Sequence, residues 1–323
     1  MSGDLHFRPS RRKAEELNVQ AGAEAELFVR GKRGHQRLRE AEILAAVDQV
    51  PALSSVVNQI LSLAGSQHSS AADLEALVSR DMVITGRLLK MVNSPFYALS
   101  NDVRSITQAV AIVGMNSLRS LVVAASMSGL LMVDLRPYGF IAEGLWQNSI
   151  AVAALARRIV LLTRNDKDMA EDCFIAGLLR SAGMLVLSPF LVRFEVDLTV
   201  PPDGMDVGEA IIYGERLHLG FDHVWVAGRL AERWNLPQAL TRLIMLKGKP
   251  LKEVEKEYRW LAAVLTLAER LANNSNIGLQ PGHAFPKSID SKLLLRSEID
   301  SEGFRDLVSH VSDVVEASRM DLR

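Results

Sequence analysis

The sequence is poor in cysteine and in net charge, and each shortage excludes a class of protein. Cys173 is the one cysteine among 323 residues, so no disulfide can form within the chain, which is typical of a reducing compartment. The chain carries 37 Lys and Arg against 38 Asp and Glu, for a formal net charge of −1. This balance gives the surface as a whole no general attraction for nucleic acid or for an anionic membrane.

Long hydrophobic runs are also absent. The longest nearly apolar run, residues 121–133, contains two serines and is shorter than the roughly 20 residues that cross a membrane as a helix. The N-terminal segment MSGDLHFRPSRRK is polar and lacks the apolar centre of a signal peptide. We therefore expect a cytoplasmic protein with no membrane span.

The motifs of several enzyme classes are missing as well. There is no HExxH, no Cys/His cluster, no GxSxG and no phosphate-binding GxxxxGK[ST] in the chain. His218 and His223 are the only histidines close in sequence. Their spacing of five residues does not match the spacing of four that places two metal ligands on one helix face. The residues alone therefore predict no catalytic group, no metal and no cofactor.

Helical periodicity dominates most of the chain. From about Ala41 onward, apolar residues recur at helical spacing, as Val57 and Ile60 illustrate. Sustained alternation of apolar and polar residues, which would indicate strands, is absent. Asp81 is placed to cap the start of one helix, and Gly114 is placed to end another. The pattern predicts an all-α fold.

The first 40 residues differ from the rest in composition. They contain nine Lys or Arg residues, few large apolar residues and the glycines of RGKRG. We interpret residues 1–40 as a basic N-terminal extension. It is either a mobile arm around one short helix or a docking segment for an acidic partner or nucleic acid. Apart from this extension, we expect no binding to nucleic acid.

Several segments, in order along the chain, resemble the bacterial HDOD domain family. Asp81, Asn93, Ser94 and Gly114 stand at positions that carry motifs of this family, and the resemblance extends over roughly residues 44–245. It implies a two-lobed helical bundle of the HD-superfamily type with an N-terminal helical subdomain. The segments that carry it are LVSRDMVITGRLLKMVNSPFY, SITQAVAIVGMNSLR, LWQNSIAVAALARRI, FIAGLLRSAGMLVL and LGFDHVWVAGRLAERWNLP.

The resemblance also implies how the chain is divided. Residues 41–140 are expected to form the N-terminal helical lobe, and residues 141–250 a degenerate HD-like lobe. Residues 251–323 are expected to form C-terminal helices that pack on the HD-like lobe. The groove between the lobes is the expected partner site, because ligands favour crevices between domains.

HDOD proteins are similar in fold to HD-domain phosphohydrolases, which are metal enzymes named for a His-Asp pair. The metal-binding positions of those enzymes correspond here to Asn148, Arg180, Ser181 and Glu269. Only Glu269 could still bind a metal well, and Arg180 brings a permanent positive charge to the place of a cation. The resemblance therefore implies a lost metal site, in which Arg180 either pairs with a carboxylate such as Glu269 or projects outward.

These features predict a regulatory protein that is not an enzyme. By resemblance it acts in bacterial signal transduction through protein–protein contacts or a small ligand, with cyclic-di-GMP and two-component pathways as candidate settings. The alternative is a nucleotide-binding protein or a residual metal-dependent phosphohydrolase. For a ligand or partner pocket we predict the side chains of Arg157, Arg158, Arg180 and His223.

Overall fold

The computed structural model of the protein describes residues 37–62, 70–94, 97, 99, 101–131, 133, 135–199, 207–280 and 289–318. Within these residues the chain forms fifteen α-helices and no β-strand, so the all-α prediction is confirmed. One isolated bridge joins Phe140 to Leu279. Of the predicted basic extension, residues 1–36 lie outside the described part of the chain.

The helices follow one another with short connections. In chain order they are α1 (Glu40–Gln49), α2 (Ser55–Ser62), α3 (Ala71–Val78), α4 (Met82–Val92), α5 (Ile106–Val113), α6 (Met115–Leu131), α7 (Gly144–Thr163), α8 (Lys167–Leu179), α9 (Gly183–Arg193), α10 (Val207–Leu219), α11 (His223–Arg233), α12 (Gln238–Ile244), α13 (Arg259–Asn274), α14 (Ser291–Arg296) and α15 (Ser301–Ser318).

Polar side chains set the ends of the helices in the N-terminal lobe. Asp81 caps α4 by accepting hydrogen bonds from the backbone N–H groups of Val83 and Ile84, at 3.1 and 3.0 Å, as predicted. Gly114 ends α5 with φ of 84°, a conformation that favours glycine. Asn93 closes the segment between α4 and α5, because its amide donates to the carbonyl of Val103 and accepts from its N–H.

The N-terminal lobe is centred on α6, against which α2, α4 and α5 pack. The first helix behaves differently. Although the sequence analysis assigned α1 to this lobe, it packs on α9 and α11 of the HD-like lobe. The backbone N–H of Leu38 donates to Leu219, and Arg233 forms an ion pair with Asp48 at 2.9 Å. The apolar side of α1, with Ile43 and Val47 buried, explains this position.

The HD-like lobe is centred on α7, which contacts α8, α13 and α15. Gly177 lets α8 approach closely, since a Cβ atom there would lie 2.9 Å from the Cα of Ala153 on α7. Two runs, Gly144–Thr163 and Lys167–Arg193, have the length and composition of a membrane span. Their most apolar windows are 72% and 78% buried inside the fold, which identifies them as interior helices.

The C-terminal helices α13 and α15 pack on α7. The indole N–H of Trp260 on α13 donates to the carbonyl of Ser297 at 3.3 Å. The guanidinium of Arg164, at the end of α7, lies 3.7 Å from the centre of the Trp260 ring and pairs with Glu298. α14 and α15 therefore fix the ends of α7 and α13, the two helices that border the site described next.

Candidate functional site

Arg180 lies in the turn that joins α8 to α9, at the position that the resemblance assigns to the His-Asp pair of HD enzymes. α9 begins only three residues later, at Gly183. A Cβ atom at Gly183 would lie 2.0 Å from the carbonyl oxygen of His223. The absence of a side chain therefore allows the turn to pack closely against the start of α11. Asp222 caps that helix by accepting from the N–H of Trp225, which makes His223 its first residue.

The side chain of Arg180 points inward and is 3% exposed. Its guanidinium donates to Oε2 of Glu269 at 2.7 Å and to the carbonyl of Leu265, both on α13. The ammonium of Lys247 donates to the other carboxylate oxygen of Glu269 at 2.9 Å and to Oγ of Ser181 at 2.7 Å. Of the two orientations left open for Arg180, the inward pairing with Glu269 is the one in the structure.

We name Arg180, Ser181, Lys247 and Glu269 the lock cluster. Burial by itself raises the pKa of Glu269, but the charges of Arg180 and Lys247 outweigh it and hold that pKa at about 2. Burial lowers the pKa of both Arg180 and Lys247, and Glu269 opposes this effect. Each oxygen of the carboxylate thus has its own cation, and the ionised form of Glu269 is strongly favoured.

A second buried carboxylate, Glu215, orients His223 beside the lock cluster. Glu215 accepts from the hydroxyl of Tyr138 at 2.7 Å, and from the backbone N–H and Nδ1 of His223 at 2.9 and 2.7 Å. Burial and the charge of Glu215 raise the pKa of Tyr138 well above its ordinary value, so the hydroxyl stays protonated. Because a carboxylate accepts hydrogen bonds, this geometry assigns the proton of His223 to Nδ1. Nε2 is buried and has no hydrogen-bond partner among the described residues.

Asn148, the fourth position of the former metal site, is tied to the end of α13. Its amide donates to Oδ1 of Asn273 and to the carbonyl of Ile277, at 3.0 and 3.1 Å. Asn273 follows Glu269 by one helical turn. The structure therefore joins three of the four predicted positions in one cluster and places Asn148 beside it.

The residues at this site fit a metal ion poorly. His223, Glu215 and Glu269 have the chemistry of good ligands, but Glu215 already accepts from Tyr138 and His223. Both oxygens of Glu269 already pair with Arg180 and Lys247. Within the described residues, no group of three or more His, Cys, Asp or Glu side chains is arranged to hold a metal. A metal site of the kind used for hydrolysis needs three or more converging ligands.

Arg157 and Arg158, which the sequence analysis placed in a pocket with Arg180, have other partners. Arg157 pairs with Glu171 at 3.6 Å, and Arg158 with Asp306 on α15 at 2.8 Å. Glu171 lies nine residues before Arg180 on α8, a distance of about 13 Å along the helix axis. Among the four predicted pocket residues, the structure brings together only Arg180 and His223.

Sequence reasoning missed Lys247, Glu215 and Tyr138. Lysine and glutamate are almost never fully buried unless they are paired. The segments LKGKP and GERLH, which contain Lys247 and Glu215, therefore give no sign that these residues are buried. The one signal in the sequence was the short spacing between Glu215 and His223. It becomes informative only once both residues are known to face the same interior.

Comparisons with known proteins agree with this architecture. The HDOD domain profile matches residues 50–250. A protein of Treponema pallidum, named only as uncharacterized, is 24% identical over 267 residues, which cover 80% of this chain and 48% of that protein. The chain thus spans about half the length of this relative.

Two solved structures share the fold. One, from Shewanella amazonensis, is provisionally named a phosphohydrolase; it is 22% identical, has a TM-score of 0.62, and is matched over 86% of this chain and 97% of its own. The other, from Marinobacter aquaeolei, is provisionally named a signal transduction protein; it is 21% identical, has a TM-score of 0.63, and is matched over 95% of this chain and 66% of its own. At these identities the likeness establishes the fold alone. Because the family profile covers well over half of its residues, the chain belongs to the HDOD domain family.

Proposed function

We propose that this protein is a non-catalytic regulatory module of signal transduction that acts by binding a protein partner or a small ligand. The observation that carries the proposal is the lock cluster, in which Arg180 and Lys247 occupy both oxygens of Glu269. A divalent ion would have to displace two buried cations from their one shared carboxylate. Those cations would then lie unpaired beside the metal, which is strongly unfavourable.

The chemistry of hydrolysis supports the same proposal. Metal-dependent phosphohydrolases use the ion to convert bound water into a nucleophile and to stabilise the charge of the transition state. The lock cluster offers positive charge through Arg180 and Lys247, but these side chains donate hydrogen bonds and cannot bind the ion. The candidate ligands are His223, Glu215 and Glu269, and the oxygens of both carboxylates already accept hydrogen bonds or pair with cations, which falls short of a catalytic ligand set.

The test is an assay for hydrolysis of p-nitrophenyl phosphate and bis(p-nitrophenyl) phosphate with added Mg²⁺, Mn²⁺ or Zn²⁺. We expect wild-type protein to give no more product than the same protein treated with a chelator, and no more than Glu269→Gln. Metal-dependent turnover that is abolished by the chelator would overturn the proposal. The chelator control decides the result even where the Glu269→Gln variant does not fold.

A second candidate, binding of a phosphate-bearing ligand such as cyclic-di-GMP, is favoured by one further observation. Nε of Arg180 and Nε2 of His223 are buried and have no hydrogen-bond partner among the described residues. A thermal-shift titration with cyclic-di-GMP and with inorganic phosphate tests this candidate. A saturable rise in melting temperature that disappears in Arg180→Met supports a ligand sensor. The absence of any rise leaves the protein-partner function.

We place the proposed activity in the cytoplasm, with a protein of a signalling pathway as the main partner. The charge balance of the chain offers no general attraction for nucleic acid. Residues 1–40 remain the one proposed route to nucleic acid. Pull-down experiments with and without these residues distinguish the partners: binding to nucleic acid should depend on the extension and weaken with salt, whereas binding through the helical lobes should survive its removal.

A further inference from the structure

One side of α4 is turned away from the rest of the N-terminal lobe. Met82 and Val83 are 86% and 60% exposed, and Gly86 and Lys90 are exposed as well. These residues follow one another at spacings of three and four, so they share one side of the helix. We name Met82, Val83, Gly86 and Lys90 the α4 face. The opposite side of α4 carries its buried residues and packs on α6.

Gly86 is not required to be a glycine by anything within the described chain. It lies in the middle of α4, where glycine is less favourable than alanine. A Cβ atom there would meet nothing within 4 Å, so close packing inside the protein does not explain it. Glycine is also used where the backbone must approach another molecule closely. Met82 and Val83, which lie one turn before Gly86, supply apolar contacts beside such an approach.

The first turn of α4 is held in place before any partner binds. Asp81 accepts from the backbone N–H of Val83 at 3.1 Å. The hydroxyl of Thr85 donates to the carbonyl of Val78, at the end of α3, at 2.9 Å. A surface that is already ordered loses less conformational entropy on binding. The apolar side chains of this turn are thus presented on a fixed backbone.

The charges along α4 favour an acidic partner. The helix carries Arg87 and Lys90 and no carboxylate, and Arg80, two residues before it, is exposed. The carboxylate of Asp81 is already used to cap the helix. Because opposite charges favour association and like charges oppose it, the basic extension of residues 1–40 does not complement this surface.

We propose that the α4 face is the docking surface for a helix of a partner protein. The partner helix places small apolar residues against Gly86, and aspartate or glutamate beside Arg80 and Lys90. Helices dock through contacts spaced by three, four and seven residues, and Val83, Gly86 and Lys90 have this spacing.

This inference rests on the proposed function, because it names the surface and the kind of partner through which the module acts. The two nevertheless fail separately. Metal-dependent hydrolysis would overturn the proposed function and leave this surface in place. A lack of binding at the α4 face would overturn the inference and leave a non-catalytic module.

The test is the binding of two synthetic peptides to the full chain, measured by fluorescence anisotropy. Both peptides are about 20 residues long, because shorter peptides are only marginally helical in water. One carries alanine and leucine on one side of the helix with glutamate beside them, and the other has lysine in place of each glutamate. We expect saturable binding of the glutamate peptide and about tenfold weaker binding of the lysine peptide, with a difference that shrinks as salt is added.

Two matched variants locate the binding. Val83→Glu places a carboxylate within the α4 face, and we expect it to weaken binding of the glutamate peptide by about tenfold. Val192→Glu changes a valine on α9 that is 61% exposed, and it should leave binding unchanged. Gly86→Ala should weaken binding by about fivefold while the melting temperature stays the same or rises. A glycine with only a structural role would not give that combination.

Several results would overturn the inference. No saturable binding of the glutamate peptide, or equal affinity for the two peptides, would show that the surface does not select an acidic helix. Equal effects of Val83→Glu and Val192→Glu would place the binding elsewhere. Sedimentation equilibrium of the protein alone covers the remaining occupant: a wild-type dimer that Val83→Glu dissociates would make a second copy of the chain the molecule that covers this face.

Discussion

Arg180 and Arg157 are both buried, and their acidic partners are held in opposite ways. In the lock cluster, Arg180 meets Glu269 at 2.7 Å and Lys247 takes the second oxygen. At the other arginine, the guanidinium of Arg157 lies 3.6 Å from the carboxylate of Glu171, and one oxygen of that carboxylate has no hydrogen-bond partner in the described part of the chain. Burial of an arginine therefore does not by itself indicate a strong contact; what matters is whether its carboxylate is fully paired.

The two arginines lie in different parts of the fold. The lock cluster lies inside the HD-like lobe, where it joins α8, α13 and the segment after α12. Arg157 and Glu171 lie near the place where α6 packs on α8, and Ser117 of α6 donates to Glu171. Because Glu171 lies near the start of α8 and Arg180 follows its end, both contacts depend on how this helix packs against α7.

The largest difference in the free energy of unfolding should come from removing the charges of the two carboxylates, Glu269 and Glu171. Glu269→Gln leaves two buried cations without a counter-charge, and we expect the free energy of unfolding to fall by about 3–5 kcal/mol. Glu171→Gln keeps an oxygen for Ser117 and removes a charge that is poorly paired, so its cost should be about 1 kcal/mol or less. Urea unfolding of the two variants measures both values. Equal costs would show that the two carboxylates are held equally well.

Acid should weaken the lock cluster in a defined range. The pKa of Glu269, about 2 in the folded protein, lies below its ordinary value of 4.5, so its contribution to stability is complete above pH 4.5. It should be lost as the pH falls from 4.5 toward 2, by about 3 kcal/mol in total. Unfolding measured between pH 7 and pH 3 should therefore show a difference between wild type and Glu269→Gln that shrinks with acidity. A difference that stays constant over this range would contradict the assignment.

Removing the arginines themselves should give a smaller difference in the free energy of unfolding, again with the larger cost at Arg180. Arg180→Met leaves Glu269 with Lys247 as its remaining partner, and we expect a cost of about 3 kcal/mol, the lower end for a broken buried pair. Arg157→Met loses interactions that include the hydrogen bond to Tyr97, two cation–π contacts and the 3.6 Å ion pair with Glu171, and we expect a cost of about 1–2 kcal/mol. Chemical denaturation measures the free energy of unfolding of the two variants. A larger loss of stability in Arg157→Met than in Arg180→Met would contradict this prediction.

A further prediction concerns the close approach of α8 to α7. A Cβ atom at Gly177 would lie 2.9 Å from the Cα of Ala153, so Gly177→Ala should push the helices apart and destabilise the fold by about 1–3 kcal/mol. Gly86→Ala is the matched control, because a Cβ atom there meets nothing within 4 Å. We expect that variant to gain about 0.5–1 kcal/mol from helix propensity. The melting temperatures of both variants show whether α8 packs on α7 as closely as the geometry at Gly177 indicates.

The sequence predicted the helical fold, but it could not predict the partners of buried charges. Helical periodicity and caps such as Asp81 are local, and they can be read from neighbouring residues. The position of Lys247 depends on tertiary packing, because nothing within its own segment indicates that it faces Glu269. The same limit applies to Arg157 and Arg158, which are adjacent in sequence and pair with carboxylates on different helices, Glu171 on α8 and Asp306 on α15.

The placement of α1 shows the limit of inferring lobes from order along the chain. Residues 41–140 were expected to form one unit, yet the apolar face of α1 finds its complement on α9 and α11. A short amphipathic helix packs wherever a matching surface is available, and sequence periodicity specifies the face without specifying that surface.

Elemental analysis of tag-free protein, purified from cells supplied with manganese, iron and zinc, tests the central claim most directly. Because Arg180 and Lys247 already neutralise Glu269, we predict far less than one metal ion per chain. One tightly held ion per chain, lost in Glu269→Gln or His223→Gln, would contradict the account and restore this site as a metal centre.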